Sequence, residues 1–156
     1  MNIENDVIRI LFVCTGNTCR SRMAEGFVNF LGQGKVEAIS AGSSPGEKVA
    51  EYAVEVMKEG GIDISRQRPK SFESVGDEEF DYVITLCDHA AESCPIFMGR
   101  QGEKPIWLHW SIPDPYGKSG DPEEAIKIYR ETRDKLALLI MRFLKEALGI
   151  KLMTIE

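Results

Sequence analysis

The chain has 156 residues, enough for one domain with a substantial core. With 43% hydrophobic and 28% charged residues its composition is that of a water-soluble globular protein, and no apolar run approaches the roughly 20 residues of a spanning helix. A net charge of −6, from 19 basic and 25 acidic residues, argues against a general nucleic-acid or membrane-surface binder. The start Met1-Asn2-Ile3-Glu4-Asn5-Asp6 lacks the basic opening of a signal peptide, so a cytoplasmic, reducing setting is expected. Four cysteines in that setting point to chemistry or metal rather than to a structural disulfide framework.

In chain order, Val7–Val13 is apolar and β-branched and predicts a buried strand. A helix is predicted over Arg22–Leu31, stopped by Gly32-Gln33-Gly34, then a strand over Val36–Ala41. Glu47–Glu59 predicts a helix, with Val49, Ala53, Val56 and Met57 on one face. A connecting region, Ile62 to Glu79, includes a short helix near Phe72–Val75; Tyr82–Leu86 and Pro105–Leu108 read as the third and fourth strands. Asp121-Pro122-Glu123-Glu124 combines a cap, an early proline and first-turn acids, and predicts a helix to about Ala147, turning Ala125, Tyr129, Leu136, Leu139, Ile140 and Phe143 inward. Gly149 ends it. The alternation predicts one α/β domain over residues 1–149, a four-stranded parallel sheet with helices on both faces, followed by a tail at 150–156. Ligands of such sheets bind beyond the carboxyl ends of the strands.

Cys14 falls at that edge, opening Cys14-Thr15-Gly16-Asn17-Thr18-Cys19-Arg20-Ser21. A cysteine, five residues and an arginine between strand and helix suit the binding and attack of a tetrahedral oxyanion. Gly16 and Asn17 tolerate positive φ, so successive amides can form a concave nest. The following helix adds its N-terminal partial positive charge. Arg20 offers a planar fork to two oxygens, and the same donors stabilise a thiolate. Cys19 either shapes the loop or forms a protective disulfide with Cys14.

Cys87 follows the third strand, and Cys94 comes seven residues later. On a helix they would lie about 10.5 Å apart along the axis at 1.5 Å per residue. A disulfide needs Cα atoms within roughly 7 Å, so bonding them requires the segment to unwind, which Pro95 and its short length favour. Two other readings stand beside this one. Cys87 is a small core residue and Cys94 incidental, or Cys87, His89 and Cys94 bind a metal, although that spacing matches no common zinc pattern. For a general acid the candidate is Asp114, in the proline-stiffened loop Ile112-Pro113-Asp114-Pro115-Tyr116 after the fourth strand; otherwise Asp114-Pro115 is only a turn. His109 reads as a partly exposed loop residue, Trp107 and Trp110 as packing under the loop, and Trp110 or Tyr116 as a possible wall.

Together these residues carry a family resemblance. Cys14 to Ser21, continuing into Met23-Ala24-Glu25-Gly26, resembles the thioredoxin-coupled arsenate reductases, which share the fold of low-molecular-weight protein tyrosine phosphatases. Ser40-Ala41-Gly42, Asp63-Ile64-Ser65, Thr85-Leu86-Cys87, Cys94-Pro95 and Asp114-Pro115 match in order. The anion loop is common to both branches; the Cys87/Cys94 pair leans toward the reductases, and Asp114-Pro115-Tyr116 resembles either. The resemblance implies a monomeric enzyme without a cofactor. Cys14 would attack arsenate, or phosphate in a phosphatase, held by Thr15, Gly16, Asn17, Thr18, Cys19, Arg20 and Ser21, and Asp114 would protonate the leaving oxygen. Cys87 would then form a disulfide with Cys14, and Cys94 would move it to Cys87–Cys94 for thioredoxin to reduce. The chain departs from the reductases at Arg22, where they commonly carry glutamine. Some of them bind potassium through residues matching Asn17, Glu25 and Ser40 plus an aspartate; Lys70 aligns with that aspartate and implies an ammonium in the ion's place. A non-catalytic oxyanion or redox sensor is the remaining class.

Overall fold

The computed structural model describes residues 7–17, 19–86, 97, 99 and 102–150. Four parallel strands, β1 (Ile8–Cys14), β2 (Val36–Gly42), β3 (Tyr82–Thr85) and β4 (Ile106–His109), form one sheet in the order β2-β1-β3-β4. Helices α1 (Arg20–Leu31), α2 (Glu51–Glu59) and α3 (Pro122–Arg142) alternate with them, and a 3₁₀ turn covers Phe72–Val75. Ile10 to Cys14 are all buried, so β1 is covered on both faces, as its uninterrupted apolar run requires. Strand order reverses between β1 and β3, which opens the crevice at their carboxyl ends. No helix among the described residues is long and apolar enough to cross a membrane.

Several boundaries differ from the sequence expectations. Helix α1 starts at Arg20, two residues early, bringing Arg20 and Arg22 into its first turn. Helix α2 starts at Glu51 rather than Glu47, because the preceding segment is tied to the Cys14 loop and Ala50 is extended (φ −60°, ψ 133°). Strand β4 begins at Ile106, whose amide donates to the Asp81 carbonyl; Pro105 has no N–H to offer. Beyond α3 the chain continues as a π-helical turn, Phe143–Ala147, in which the Leu148 amide reaches the Phe143 carbonyl; Gly149 then ends it at φ +66°. Ala125, Tyr129, Leu136 and Ile140 are buried as expected, while Leu139 and Phe143 pack only partly against the core.

The tryptophans do not both lie under a loop. Trp110 packs between Phe12 and Phe143, whereas Trp107 is 43% exposed and neighbours Phe97.

Arg130 and Arg133 of α3 clamp Glu59 at the end of α2, with N–O distances of 2.8 to 3.2 Å. Hydrogen bonds from Arg130, then Arg133, hold this surface carboxyl at about 2, below its ordinary 4.5. The folded state therefore binds the proton more weakly than the unfolded chain, and the clamp contributes above pH 4.5 and is lost as pH falls toward 2. Thermal unfolding of the protein and of Glu59→Gln should accordingly differ slightly at neutral pH and converge as acid titrates the carboxyl. A gap that widens on acidification would contradict the clamp.

Candidate active site

Cys14 is the last residue of β1, 2% exposed, and a free thiol, as is Cys19. The Asn17 amide donates to the Cys14 sulfur at 3.2 Å, and Ser21 Oγ lies 2.9 Å from it. Of the two residues expected to take positive φ, Asn17 does so, at 51°. Its Nδ2 donates to Ser21 Oγ (2.8 Å), and its Oδ1 accepts from the Lys70 amide (2.7 Å). One fully buried asparagine thus fixes the turn, the serine and the segment beneath. Thr15 and Gly16 continue the loop along the cavity wall, and Ser21 is fully buried. Thr18 lies outside the described residues.

A second segment braces the loop from behind. The amides of Ser43, Ser44 and Gly46 donate to the carbonyls of Cys14, Thr15 and Gly16 at 3.2, 2.9 and 3.0 Å. Gly42 passes so close that a Cβ there would stand 2.5 Å from the Thr15 carbonyl oxygen, which bars any larger residue. Sequence reasoning missed this brace, although Gly42 followed by two serines, a proline and Gly46 was a turn signal.

Arg20 is nearly buried in the first turn of α1. Its Nη1 donates to the Ile112 carbonyl at 2.9 Å, and its Nη2 lies 3.6 Å from Asp114 Oδ2. The Asp114 side chain is half exposed, and its Oδ1 accepts from the Tyr116 amide (3.0 Å), so the Asp-Pro loop is both a turn and the mount of a carboxylate facing the anion loop. Cys14, Arg20, Asp114, Tyr52, Tyr116 and Tyr129 all line one cavity of about 1110 Å³. Tyr116 is a wall and Trp110 is not; Tyr52 and Tyr129 are walls that the sequence reading had not picked out. His109 ends β4, with Nδ1 2.6 Å from Thr85 Oγ1. Cys19 also lines the cavity, and burial pushes its thiol well above its ordinary value, with the Asp114 charge adding to the rise. Cys87, His89 and Cys94 lie outside the described residues.

Behind the loop two cations act on Glu25. Arg22 is the one in contact, with Arg22 Nη1 3.2 Å from Glu25 Oε2, the Lys70 charge acts on the same carboxyl from farther off, and Ser40 Oγ donates to Glu25 Oε1 at 3.1 Å. Lys70 bonds Asn17 through its backbone while the residue itself is exposed. With a guanidinium already on Glu25, Asn17, Glu25 and Ser40, which match the potassium ligands of some reductases, do not fit an alkali ion, in keeping with the expected cation in the ion's place.

The model of the family described as low molecular weight phosphotyrosine protein phosphatase matches residues 9–151. An arsenate reductase of Halalkalibacterium halodurans is 38% identical over 135 residues, covering 86% of this chain and 93% of its own. The structure of an arsenate reductase in the phosphate binding state superposes with a TM-score of 0.70 at 30% identity, over 90% of this chain and 98% of that one. A low-molecular-weight protein tyrosine phosphatase from T. tengcongensis superposes with a TM-score of 0.69 at 34% identity, over 89% and 99%. The chain belongs to the low-molecular-weight phosphotyrosine protein phosphatase family, and arsenate reductases are among its relatives.

Proposed function

We propose that the protein is an arsenate reductase that uses Cys14 as nucleophile and is returned to its dithiol state by thioredoxin. The observation that carries this is the setting of the Cys14 sulfur: buried, contacted by the Asn17 amide and Ser21 Oγ, and facing Arg20 and Asp114 across the cavity. Arsenate enters the loop and competes with Asp114 for the Arg20 guanidinium, whose fork suits two of its oxygens. The Cys14 thiolate attacks arsenic, and Asp114 gives a proton to the departing oxygen, which leaves as water. Cys87 then attacks the Cys14 sulfur; the sulfur–arsenic electron pair stays on arsenic, As(V) becomes As(III), arsenite leaves and a Cys14–Cys87 disulfide remains. Cys94 attacks Cys87 and carries the disulfide to the Cys87–Cys94 pair, from which a dithiol partner removes it. Strand β3 supports this order of events. It pairs directly with β1, the Leu86 amide donates to the Val13 carbonyl, and Cys87 is the next residue in the chain.

A second reading, a phosphatase in which water resolves a cysteinyl-phosphate, is favoured by one observation. The cavity of about 1110 Å³, with three tyrosines in its wall, offers far more room than four oxygens around one centre require. The two readings part in one experiment, arsenate reduction and aryl-phosphate hydrolysis assayed side by side with and without thioredoxin and its reductase. Arsenate-dependent oxidation of thioredoxin is expected; hydrolysis alone would leave the phosphatase.

Asp114→Asn should slow the first chemical step by on the order of 10²–10⁴, the span of positioned general acids, and less for an ester whose leaving group needs no proton. Single-turnover kinetics with activated and unactivated aryl phosphates checks this. Equal losses on both would make Asp114 a turn residue only.

A further inference from the structure

Arg22 is among the largest fully buried side chains, 1% exposed, and is absent from the cavity wall. Among the described residues, only Nη1 of its guanidinium has hydrogen-bond partners, Glu25 Oε2 at 3.2 Å and Gln67 Oε1 at 3.3 Å, and the buried Nε and Nη2 have none. An ion pair serving only to hold the fold together would be expected to use more of these donors, because each one left unpaired in the interior is costly. Packing does not call for a charge either, since buried ion pairs are commonly replaced by apolar side chains of similar volume with no loss of stability. What lies around this charge is the back of the anion loop. Glu25 is tied to Ser40 in β2, Gln67 comes from the chain below, and Ser21, beside Arg22 in sequence, is hydrogen-bonded to Asn17 and lies against the Cys14 sulfur. Burial lowers the proton affinity of the Arg22 guanidinium, while the negative charges of Glu25 and Cys14 raise it back; burial raises that of the Glu25 carboxyl, opposed first by Arg22.

We infer that Arg22 is a positioning residue whose fixed, buried positive charge, held behind the loop by Glu25 and Gln67, sustains negative charge on Cys14 from the side that substrate never touches. Arg20 and Arg22 thereby divide the work. Arg20 meets the anion in the cavity, and Arg22 supports the nucleophile through the loop. No exchangeable cation is needed for the second task, because the charge is built into the first turn of α1.

The inference rests on Cys14 as the nucleophile, and its test uses a readout independent of which anion is turned over: the pH midpoint of Cys14 alkylation by iodoacetamide, followed by peptide mass mapping. The other titratable and charged groups at the loop, Arg20, Asp114 and the Cys19 thiol in front and Lys70 behind, stay in every variant. Arg22→Met together with Glu25→Gln removes both buried charges and should fold. Its midpoint should rise by about one pH unit and kcat should fall about tenfold, with KM for the oxyanion changing less than about threefold. Arg22→Lys should restore the midpoint. If the double variant does not fold, Arg22→Gln is compared with Glu25→Gln: loss of the cation should raise the midpoint and loss of the carboxylate alone should lower it, and shifts of the same sign in both overturn the inference. Potassium chloride and choline chloride at equal ionic strength should give the wild type the same kcat. An unmoved midpoint in a folded variant lacking the charge, or a wild type that requires potassium, overturns the inference. Turnover by Cys14→Ser would overturn the underlying nucleophile reading instead.

Discussion

Cys14→Ser is expected to lose both arsenate reduction and aryl-phosphate hydrolysis, by on the order of 10⁴ or more. Beside the sulfur, the Asn17 N–H donates at 3.2 Å and Ser21 Oγ lies at 2.9 Å. They do not bring an alcohol within reach of neutral pH, and an alkoxide can form no disulfide. The loop amides, Arg20 and the brace from Ser43 to Gly46 are untouched by the change, so the variant should still bind inorganic phosphate. Kinetics and calorimetry together check this. Retained turnover would remove Cys14 from the chemistry, and lost phosphate affinity would show that the substitution had collapsed the cradle.

Cys87→Ser and Cys94→Ser should each stop multi-turnover arsenate reduction with thioredoxin and leave hydrolysis largely intact, because hydrolysis needs only the loop and an acid. The two should fail at different points. Without Cys87, the Cys14 adduct has no protein thiol to resolve it. Without Cys94, one turnover proceeds and leaves a Cys14–Cys87 disulfide, visible by peptide mass mapping. Normal thioredoxin-dependent reduction by both variants would sink the relay and leave the phosphatase reading as the better account.

The strands and helices that position the loop were readable because their signals are local. Val7 to Val13 is an unbroken apolar run, and Asp121-Pro122-Glu123-Glu124 announces the start of α3. Cys14, Arg20 and Asp114 were readable because strand ends of a parallel sheet share an edge, and the structure sets Arg20 and Asp114 3.6 Å apart across 94 residues of chain. What escaped depends on tertiary contact. Glu47 to Ala50 has the composition of a helix start, yet the chain there follows hydrogen bonds made to Gly16 and its neighbours. Arg22 was visible only as a departure from the glutamine that the reductases commonly carry, because nothing local says that the first turn of α1 is buried. Tyr52 and Tyr129 come from helices whose apolar spacing speaks only for packing, and their place in the cavity wall follows from how α2 meets α3.

The brace behind the loop has a consequence for selectivity. Because the carbonyls of Cys14, Thr15 and Gly16 are bonded to Ser43, Ser44 and Gly46, those peptide dipoles are aligned before any anion arrives. A cradle organised in advance recognises tetrahedral shape and negative charge, and arsenate shares both with phosphate. Abundant cellular phosphate is then a standing competitor that such a site has little means of turning away at the door. For a reductase, discrimination falls to the next event. A sulfur–arsenic bond yields its electrons to arsenic when a second thiol attacks, whereas a sulfur–phosphorus bond offers no such outlet and must wait for water.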